Sequence, residues 1–271
     1  MYADDTSVTY ANSDSLELIR VINTDLENIS EWMRENKLSL NAGKSEFMVI
    51  GNAKQLRQVG DNITCEINGE DLSRVNKTKY LGIQMDESLN WDAQYKVVKK
   101  KLKAGLASLR KLRDILPQSK LAKVYRALFE SHLRYANVIW GHISNTKLDH
   151  LQTLQDRALK LIQSTNFKDG WNYNWLNVRS LITYDKLLMT YKIVNGQCPE
   201  KLKGKFKLRS QISNYQTRNS DSLQIPRPRL EITKKSFSYS AVKSWNNLPT
   251  TIRGIDSLRV FKTSLKTHLE T

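Results

Sequence analysis

The spacing of apolar residues changes twice along this chain of 271 residues. Over 15–36, apolar side chains recur every three or four residues, which predicts an amphipathic helix with one buried stripe. Between 47 and 85 the spacing is two, which is typical of short strands. From Asp92 onward the helical spacing returns. We therefore predict the α+β class, with a helix and a small antiparallel sheet ahead of a compact helical bundle.

Local signals place the ends of these elements. Asp14, followed three residues later by Glu17, predicts the start of the first helix, and Asn68-Gly69 predicts a tight hairpin turn. Pro226 and Pro228 lie in a polar stretch that predicts a loop or linker at 200–235. Strands are predicted at 47–50, 63–67 and 78–85, and later helices at 92–116, 119–140, 147–163, 181–194 and 257–269.

Charge is distributed unevenly along the chain. Residues 1–95 hold 9 Lys and Arg against 16 Asp and Glu, whereas residues 96–271 hold 34 against 11. An acidic front joined to a strongly basic back suits a protein that binds cations with one part and a polyanion with the other. Nucleic acid is therefore the leading partner. An anionic membrane surface is a weaker candidate, because the chain lacks the amphipathic anchor of bulky apolar residues that usually binds such a surface.

The basic charge is densest over 96–135, which includes the helix predicted at 92–116 and most of the helix predicted at 119–140. Across 96–135 there are 12 Lys and Arg, and only Asp114 and Glu130 oppose them. Acidic partners four residues away, which usually balance a solvated helix face, are nearly missing. We therefore favour a surface that follows a phosphate backbone without reading its sequence. The residues expected to make these contacts share the face opposite the apolar stripe: Lys96, Lys100, Lys103, Arg110 and Lys111.

Two adjacent carboxylates, Asp4 and Asp5, are the most chemical feature of the acidic front. Carboxylate oxygens are the ligands that magnesium prefers, and the ion binds beside substrate phosphates. Neighbouring side chains of a strand point to opposite faces, so both could reach one site only at a tight turn. Taken alone, the pair is as well explained by a solvated loop or a helix cap.

Three stretches follow one another along the chain: Tyr2-Ala3-Asp4-Asp5, LSLNAGKSEFM at 38–48 and KYLGIQMD at 79–86. Together they resemble the reverse transcriptases of non-LTR (LINE-type) retrotransposons, and the first is similar to the YADD hairpin of that family. The stretch LSLNAGKSEFM at 38–48 resembles the palm motif that follows it, and KYLGIQMD at 79–86 resembles the YLGxxxD strand of the primer grip. Later similarities to the same family are YANVIWG at 135–141, LQTLQDRALKLI at 151–162 and SWNNLP at 244–249.

This resemblance implies roles for particular residues. Asp4 would be a direct ligand of Mg²⁺ and Asp5 its weaker neighbour in a two-metal nucleotidyl transfer. Lys44 would lie near the leaving pyrophosphate, although an ordinary exposed lysine beside a turn is the plain alternative. Tyr80, Leu81 and Gly82 would support the primer terminus, although an ordinary buried strand would show the same sequence pattern.

The resemblance also implies an architecture and partners. It divides the chain into a partial palm at 1–91, a helical thumb at 92–165 and a C-terminal extension at 166–271. The partners would be an RNA template, a DNA primer and dNTPs. Because the family's first metal-binding aspartate and its fingers lie before YADD, the magnesium site would be incomplete. We expect the chain to be a C-terminal fragment of a polymerase, and we expect this fragment to be inactive by itself.

Two other functions stay open at this point. One is a non-catalytic basic module that binds nucleic acid, and the other is an interaction protein whose basic surface contacts an acidic protein. The sequence shows neither a membrane span nor a secretory signal, so we expect an intracellular protein. Cys65 and Cys198 fit no disulfide or metal spacing and are expected to be buried small hydrophobes in a reducing compartment.

Aromatic residues later in the chain have two interpretations each. Trp171, Tyr173 and Trp175 alternate, which suits stacking on nucleic-acid bases as well as a packed strand or turn. Trp140, Trp245 and Phe261 are most simply core residues. The four histidines have no metal-ligand spacing.

Overall fold

The fold comes from a computed structural model, which describes residues 5–60, 63–170, 173–212, 221–228 and 230–270. The chain divides into two compact units, Met1–Ala93 and Gln94–Thr271. Helices dominate and the strands are short, as expected for the α+β class. Among the described residues, no helix is both long and apolar enough to cross a lipid bilayer.

The first unit opens with helix α1, Ser15–Glu35. Its start is fixed by Asp14, whose side chain accepts a hydrogen bond of 2.9 Å from the Leu16 amide, as the sequence predicts. The apolar stripe is less covered than expected, because no α1 side chain is fully buried and Leu16 is exposed. A second helix, α2 at Ala53–Val59, was not predicted; Asn52 and Gln55 form its capping box.

Within the described residues the strands form three separate two-stranded pieces, whereas the sequence predicts one antiparallel sheet. Asn68-Gly69 forms the predicted turn, with positive φ at both residues. The single strand predicted at 78–85 is instead a hairpin, because Leu81 and Gly82 also take positive φ. The paired strands are β1 (Glu46–Phe47) parallel to β4 (Ser73–Arg74), β2 (Glu66–Ile67) with β3 (Glu70–Asp71), and β5 (Lys77–Tyr80) with β6 (Ile83–Asp86).

The second unit is helical. The continuous helix predicted at 119–140 is broken, first by a π-helical turn at Arg126–Glu130 and then at Ala136, which takes a φ of +50°. Trp140 Nε1 donates 2.8 Å to the Tyr135 carbonyl, which offsets the interruption. The first helices are α3 (Asp92–Leu112), α4 (Gln118–Tyr125), α5 (Ser131–Arg134), α6 (Asn137–Trp140), α7 (Asn145–Gln163) and α8 (Val178–Val194).

The stretch predicted as a loop at 200–235 contains two short α-helices and a 3₁₀ turn at Arg209–Gln211, and two unpredicted helices follow it. The later helices are α9 (Glu200–Lys203), α10 (Glu231–Lys234), α11 (Phe237–Asn246), α12 (Thr250–Arg253) and α13 (Leu258–Glu270). Trp140, Trp245 and Phe261 are buried, as predicted. Tyr191 stacks on Phe261 with ring centroids 4.2 Å apart. Both rings belong to a hydrophobic core to which α8, α11 and α13 contribute. Both cysteines are free thiols, Cys65 buried and Cys198 half-buried.

Candidate functional site

Helix α3 separates apolar and basic side chains onto opposite faces. Its 21 residues make a rod of about 32 Å at 1.5 Å per residue. Val98, Leu102 and Leu109 share one face at helical spacing and are buried in the core of the second unit. The burial of that face fixes which side of the helix is turned to solvent.

The solvent side carries the cations that the sequence predicts. We call Lys96, Lys100, Lys103, Arg110 and Lys111 the α3 basic stripe; all five are exposed. Within the described residues, none of the five forms an ion pair with a carboxylate, and the nearest salt bridge along the chain joins Arg113 to Asp114. The stripe extends over 15 residue steps, which is about 22 Å. Without carboxylate partners among the described residues, the stripe is a positive surface. Its length equals several phosphate spacings along a nucleic-acid backbone.

The loop that leads into α3 is organised by Asp86. This carboxylate is buried, with 5% exposure, and accepts four hydrogen bonds. Its Oδ1 accepts from the amide and hydroxyl of Ser88 at 3.2 and 2.8 Å and from the Asn90 amide at 3.1 Å. Its Oδ2 accepts from the Trp91 amide at 3.1 Å. These bonds hold Leu89 and Trp91 at positive φ, an unfavourable conformation for such residues.

Sequence reasoning missed this role of Asp86. The signal was present, because an aspartate followed by Ser88 and Asn90 suits local side-chain to backbone bonding. Asn90 Oδ1 in turn accepts 2.8 Å from the Asp92 amide at the first residue of α3. Hydrogen bonds therefore order this loop from Asp86 to Asp92, the first residue of α3.

The residues of the candidate primer grip lie at the tip of the β5–β6 hairpin. Leu81 and Gly82 form its two-residue turn, with φ of +44° and +80°. The Tyr80 hydroxyl lies 3.0 Å from Ser7 Oγ. This hydrogen bond brings the hairpin tip next to the segment that follows Asp5, from which Ser7 is two residues away.

The candidate catalytic residues are only partly described. Asp4 lies outside the described residues, and Asp5 is exposed. Lys44 is exposed on a 3₁₀ turn at Ala42–Lys44, where its amide donates 3.1 Å to both the backbone and the side-chain oxygen of Asn41. No hydrogen bond or ion pair joins Asp5 to Lys44 in the part of the chain that is described.

A magnesium site is not complete in this part of the chain. Among the described residues there is no cluster of three or more His, Cys, Asp or Glu side chains that could hold a metal ion. Asp5 alone offers fewer oxygen ligands than Mg²⁺ requires. Of the two carboxylates that the resemblance implies as ligands, the described residues therefore include only Asp5.

Comparisons with known proteins identify relatives. The RNA-directed DNA polymerase from mobile element jockey of Drosophila funebris is 27% identical over 164 residues, 59% of this chain and 17% of the relative. The probable RNA-directed DNA polymerase from transposon X-element of Drosophila melanogaster is 23% identical over 164 residues, 59% of this chain and 18% of the relative. A retrovirus-related Pol polyprotein from type-1 retrotransposable element R1 4 of Nasonia vitripennis is 26% identical over 155 residues, 51% and 40% respectively.

The chain is a homologue of non-LTR retrotransposon RNA-directed DNA polymerases. The resemblance found in the motifs is therefore confirmed. The chain spans less than a fifth of the length of the two Drosophila polymerases above. No protein-family model and no solved structure matches it. The polymerase relationship thus comes from sequence similarity, and the site geometry comes from the chain itself.

Proposed function

We propose that the chain is the part of a non-LTR reverse transcriptase that grips the primer–template duplex, with the α3 basic stripe as its main contact. The observation that carries this proposal is the row of five exposed cations without carboxylate partners among the described residues. The relatives, which are named as RNA-directed DNA polymerases, support an RNA template and a DNA primer as the partners.

The physical basis is counterion release. A lysine that neutralises a phosphate frees a condensed cation, so duplex affinity falls as salt rises, with a slope of about −0.9 per phosphate contact. Such contacts carry no sequence information, which suits an enzyme that must hold every sequence it copies. The hydrogen bonds to Asp86 order the residues that lead into the first turn of α3.

The first unit would contribute to the polymerase centre. The hydrogen bond between Tyr80 and Ser7 supports the proposal that Tyr80, Leu81 and Gly82 position the primer terminus near Asp4 and Asp5. Exposed Lys44 is proposed to face the pyrophosphate. In a full-length polymerase of this kind, Asp4 and Asp5 would hold Mg²⁺ together with further carboxylates, and the bound ion would assist nucleotidyl transfer from dNTPs. We also propose the division into palm (1–91), thumb (92–165) and C-terminal extension (166–271).

For a polypeptide of these 271 residues alone we propose binding without polymerisation. The purified chain is mixed with an annealed RNA template and DNA primer, dNTPs and Mg²⁺, and primer length is followed on a gel. The expected result is an unextended primer. Extension would contradict the proposed inactivity and would exclude the reading of the chain as a purely non-catalytic nucleic-acid-binding module.

Duplex binding is tested separately by fluorescence anisotropy with a labelled RNA–DNA hybrid. The combined variant Lys96→Gln, Lys100→Gln, Lys103→Gln should bind more weakly than the unaltered chain. A matched control removes three exposed lysines elsewhere in the second unit, Lys201, Lys205 and Lys207. Equal loss in both variants would indicate a general charge effect and would refute α3 as the duplex surface.

A further inference from the structure

The alternating aromatics that the sequence suggests for base stacking are packed against other side chains. Tyr173 and Trp175 meet edge to face with ring centroids 4.5 Å apart. Lys266 Nζ lies 3.8 Å from the centroid of the Tyr173 ring, and Arg126 Cζ lies within 6 Å of both ring centroids. Trp171 lies outside the described residues. Neither described ring of this set therefore offers an open face to a base.

Two large apolar side chains are instead exposed in neighbouring loops of the second unit. Phe167, in the loop after α7, is 50% exposed, and no described aromatic ring pairs with it. Ile115, in the loop after α3, is 67% exposed. We call these two side chains the apolar tip. Phe167 is an aromatic ring with an accessible surface, which base stacking requires.

Hydrogen bonds hold the two loops of the apolar tip together. The Gln118 amide donates 3.1 Å to the Phe167 carbonyl. The Thr165 hydroxyl belongs to a buried residue and lies 2.8 Å from the Arg113 carbonyl oxygen and 3.2 Å from the Leu116 carbonyl oxygen. The backbone of the tip is therefore ordered by polar contacts, while its apolar side chains remain uncovered.

Cations border the apolar tip along the chain. Lys111 of the α3 basic stripe precedes Ile115 by four residues, Lys168 directly follows Phe167, and Lys120 lies in the first turn of α4. All three are exposed, and none forms an ion pair with a carboxylate within the described residues. An apolar surface bordered by such cations fits a ligand that joins flat rings to an anionic backbone.

The position of the tip limits which base can reach it. The α3 basic stripe would contact phosphates, which lie on the outside of a duplex, and the tip lies just beyond the end of α3 at Leu112. A paired base is held inside the stack, and turning it outward costs free energy. An unpaired base beyond the end of the duplex does not carry this cost and can turn outward to the tip.

We propose that the apolar tip stacks the first unpaired base beyond the duplex that α3 holds, with the base on the Phe167 ring and Ile115 beside it. Stacking tolerates every sequence because every base has a flat face. It therefore suits a polymerase that holds whichever sequence it copies. The position of the duplex rests on the proposed function, but neither tip residue belongs to the α3 basic stripe.

The test compares three labelled RNA–DNA hybrids by fluorescence anisotropy. One is blunt, one has an overhang of five uridines on the RNA strand, and one has the same overhang made of abasic nucleotides. The two overhangs offer the same phosphates, so the difference between them reports on base stacking. Overhangs are placed at the 5′ end in one set and at the 3′ end in another, since the phosphate contacts fit either duplex direction. In one of the two sets the uridine overhang should bind about tenfold more tightly than the abasic one.

Variants then locate the effect. Phe167→Leu should bind both overhangs equally and should bind the blunt hybrid as the unaltered chain does. Phe167→Trp, which keeps an aromatic face, should retain the preference for the uridine overhang. The matched control is Tyr135→Leu, at another exposed aromatic of the same unit, between α5 and α6. It should leave every affinity unchanged.

The outcomes separate this proposal from the α3 proposal. Equal binding of the two overhangs in both sets, or a folded Phe167→Leu variant that retains the preference, would overturn the tip site while binding of the blunt hybrid through α3 stands. A preference that Phe167→Leu removes, in a chain that does not bind the blunt hybrid, would support the tip and overturn the α3 proposal. Failure to bind any hybrid would overturn both.

An anionic membrane surface is the other partner that exposed apolar side chains among cations can fit. Sedimentation with vesicles of phosphatidylcholine and phosphatidylserine tests it. Vesicle binding that Phe167→Leu removes, together with equal binding of the two overhangs, would assign the tip to a membrane and overturn the base site. No difference between the unaltered chain and Phe167→Leu in vesicle binding is the expected result.

Discussion

Gly105 of α3 lies against the backbone of Leu128 in the π-helical turn, so closely that a Cβ at residue 105 would be 2.5 Å from the Leu128 carbonyl oxygen. Phe129 lines the same contact at 3.6 Å. Only glycine lets the two backbones approach this far. This contact holds the apolar face of α3 to the helical core and thereby keeps the basic stripe outward.

Gly105→Ala is therefore expected to destabilise the chain. Alanine normally stabilises a helix by about 0.8–1 kcal/mol relative to glycine, but overpacking a close contact costs about 1–3 kcal/mol. The measurement is the free energy of unfolding in urea. Ala107→Gly, at an exposed position of the same helix, serves as the control and measures the helix propensity alone. A more stable Gly105→Ala variant would show that the contact is not tight.

Asp86→Asn is expected to loosen the loop that precedes α3. An asparagine that keeps its oxygen at the Oδ1 position would turn its amide nitrogen towards the Trp91 N–H, which would lose its acceptor at a cost of about 1–3 kcal/mol. Hydrogen exchange at the Ser88, Asn90 and Trp91 amides should become faster. Asp71→Asn, an exposed carboxylate of the same unit, is the control and should leave these rates unchanged. Unchanged protection in the Asp86 variant would contradict the organising role of Asp86.

Acid should destabilise the chain through two histidines. Burial lowers the pKa of His142 below the ordinary value of 6.5, helped by Lys186 and Lys235. Burial likewise lowers the pKa of His132, helped by Lys101. Because the unfolded chain binds these protons more readily, their contribution to stability is complete above pH 6.5 and is lost as pH falls through the lowered values.

Urea unfolding at pH 7.5 and pH 5.5 measures this loss. The double variant His132→Gln, His142→Gln should lose less stability between the two values than the unaltered chain. His268→Gln, an exposed residue of α13, is the control and should behave as the unaltered chain does. An unchanged loss of stability in the double variant would contradict the assignment to these two groups.

The sequence predicts those elements whose signals are local. The helical spacing of Val98, Leu102 and Leu109 suffices for α3, and Asn68-Gly69 suffices for its turn. The same logic indicates the basic stripe, because a charged face follows from the apolar one. The first helix is also predicted correctly, although its stripe is only half-buried.

The elements that were missed depend on contacts between distant residues or on backbone conformations that residue type does not favour. Ala136 takes a left-handed conformation that few alanines adopt, and its break is supported by the bond from Trp140 to Tyr135. Leu81 does the same at the hairpin tip. The apolar tip depends on the bond from Thr165 to Arg113, which lie 52 residues apart in sequence.

The central proposal is that α3 grips a nucleic-acid duplex, and the salt dependence of hybrid binding tests it most directly. Anisotropy titrations at several salt concentrations give the slope of log K against log salt for the unaltered chain and for the Lys96→Gln, Lys100→Gln, Lys103→Gln variant. The unaltered chain should bind with a steep negative slope, and the variant's slope should be shallower by about 2.7, or 0.9 for each lost phosphate contact. The Lys201, Lys205, Lys207 control should keep the full slope. A folded chain that does not bind the hybrid, or equal slopes for all three proteins, would contradict the proposal.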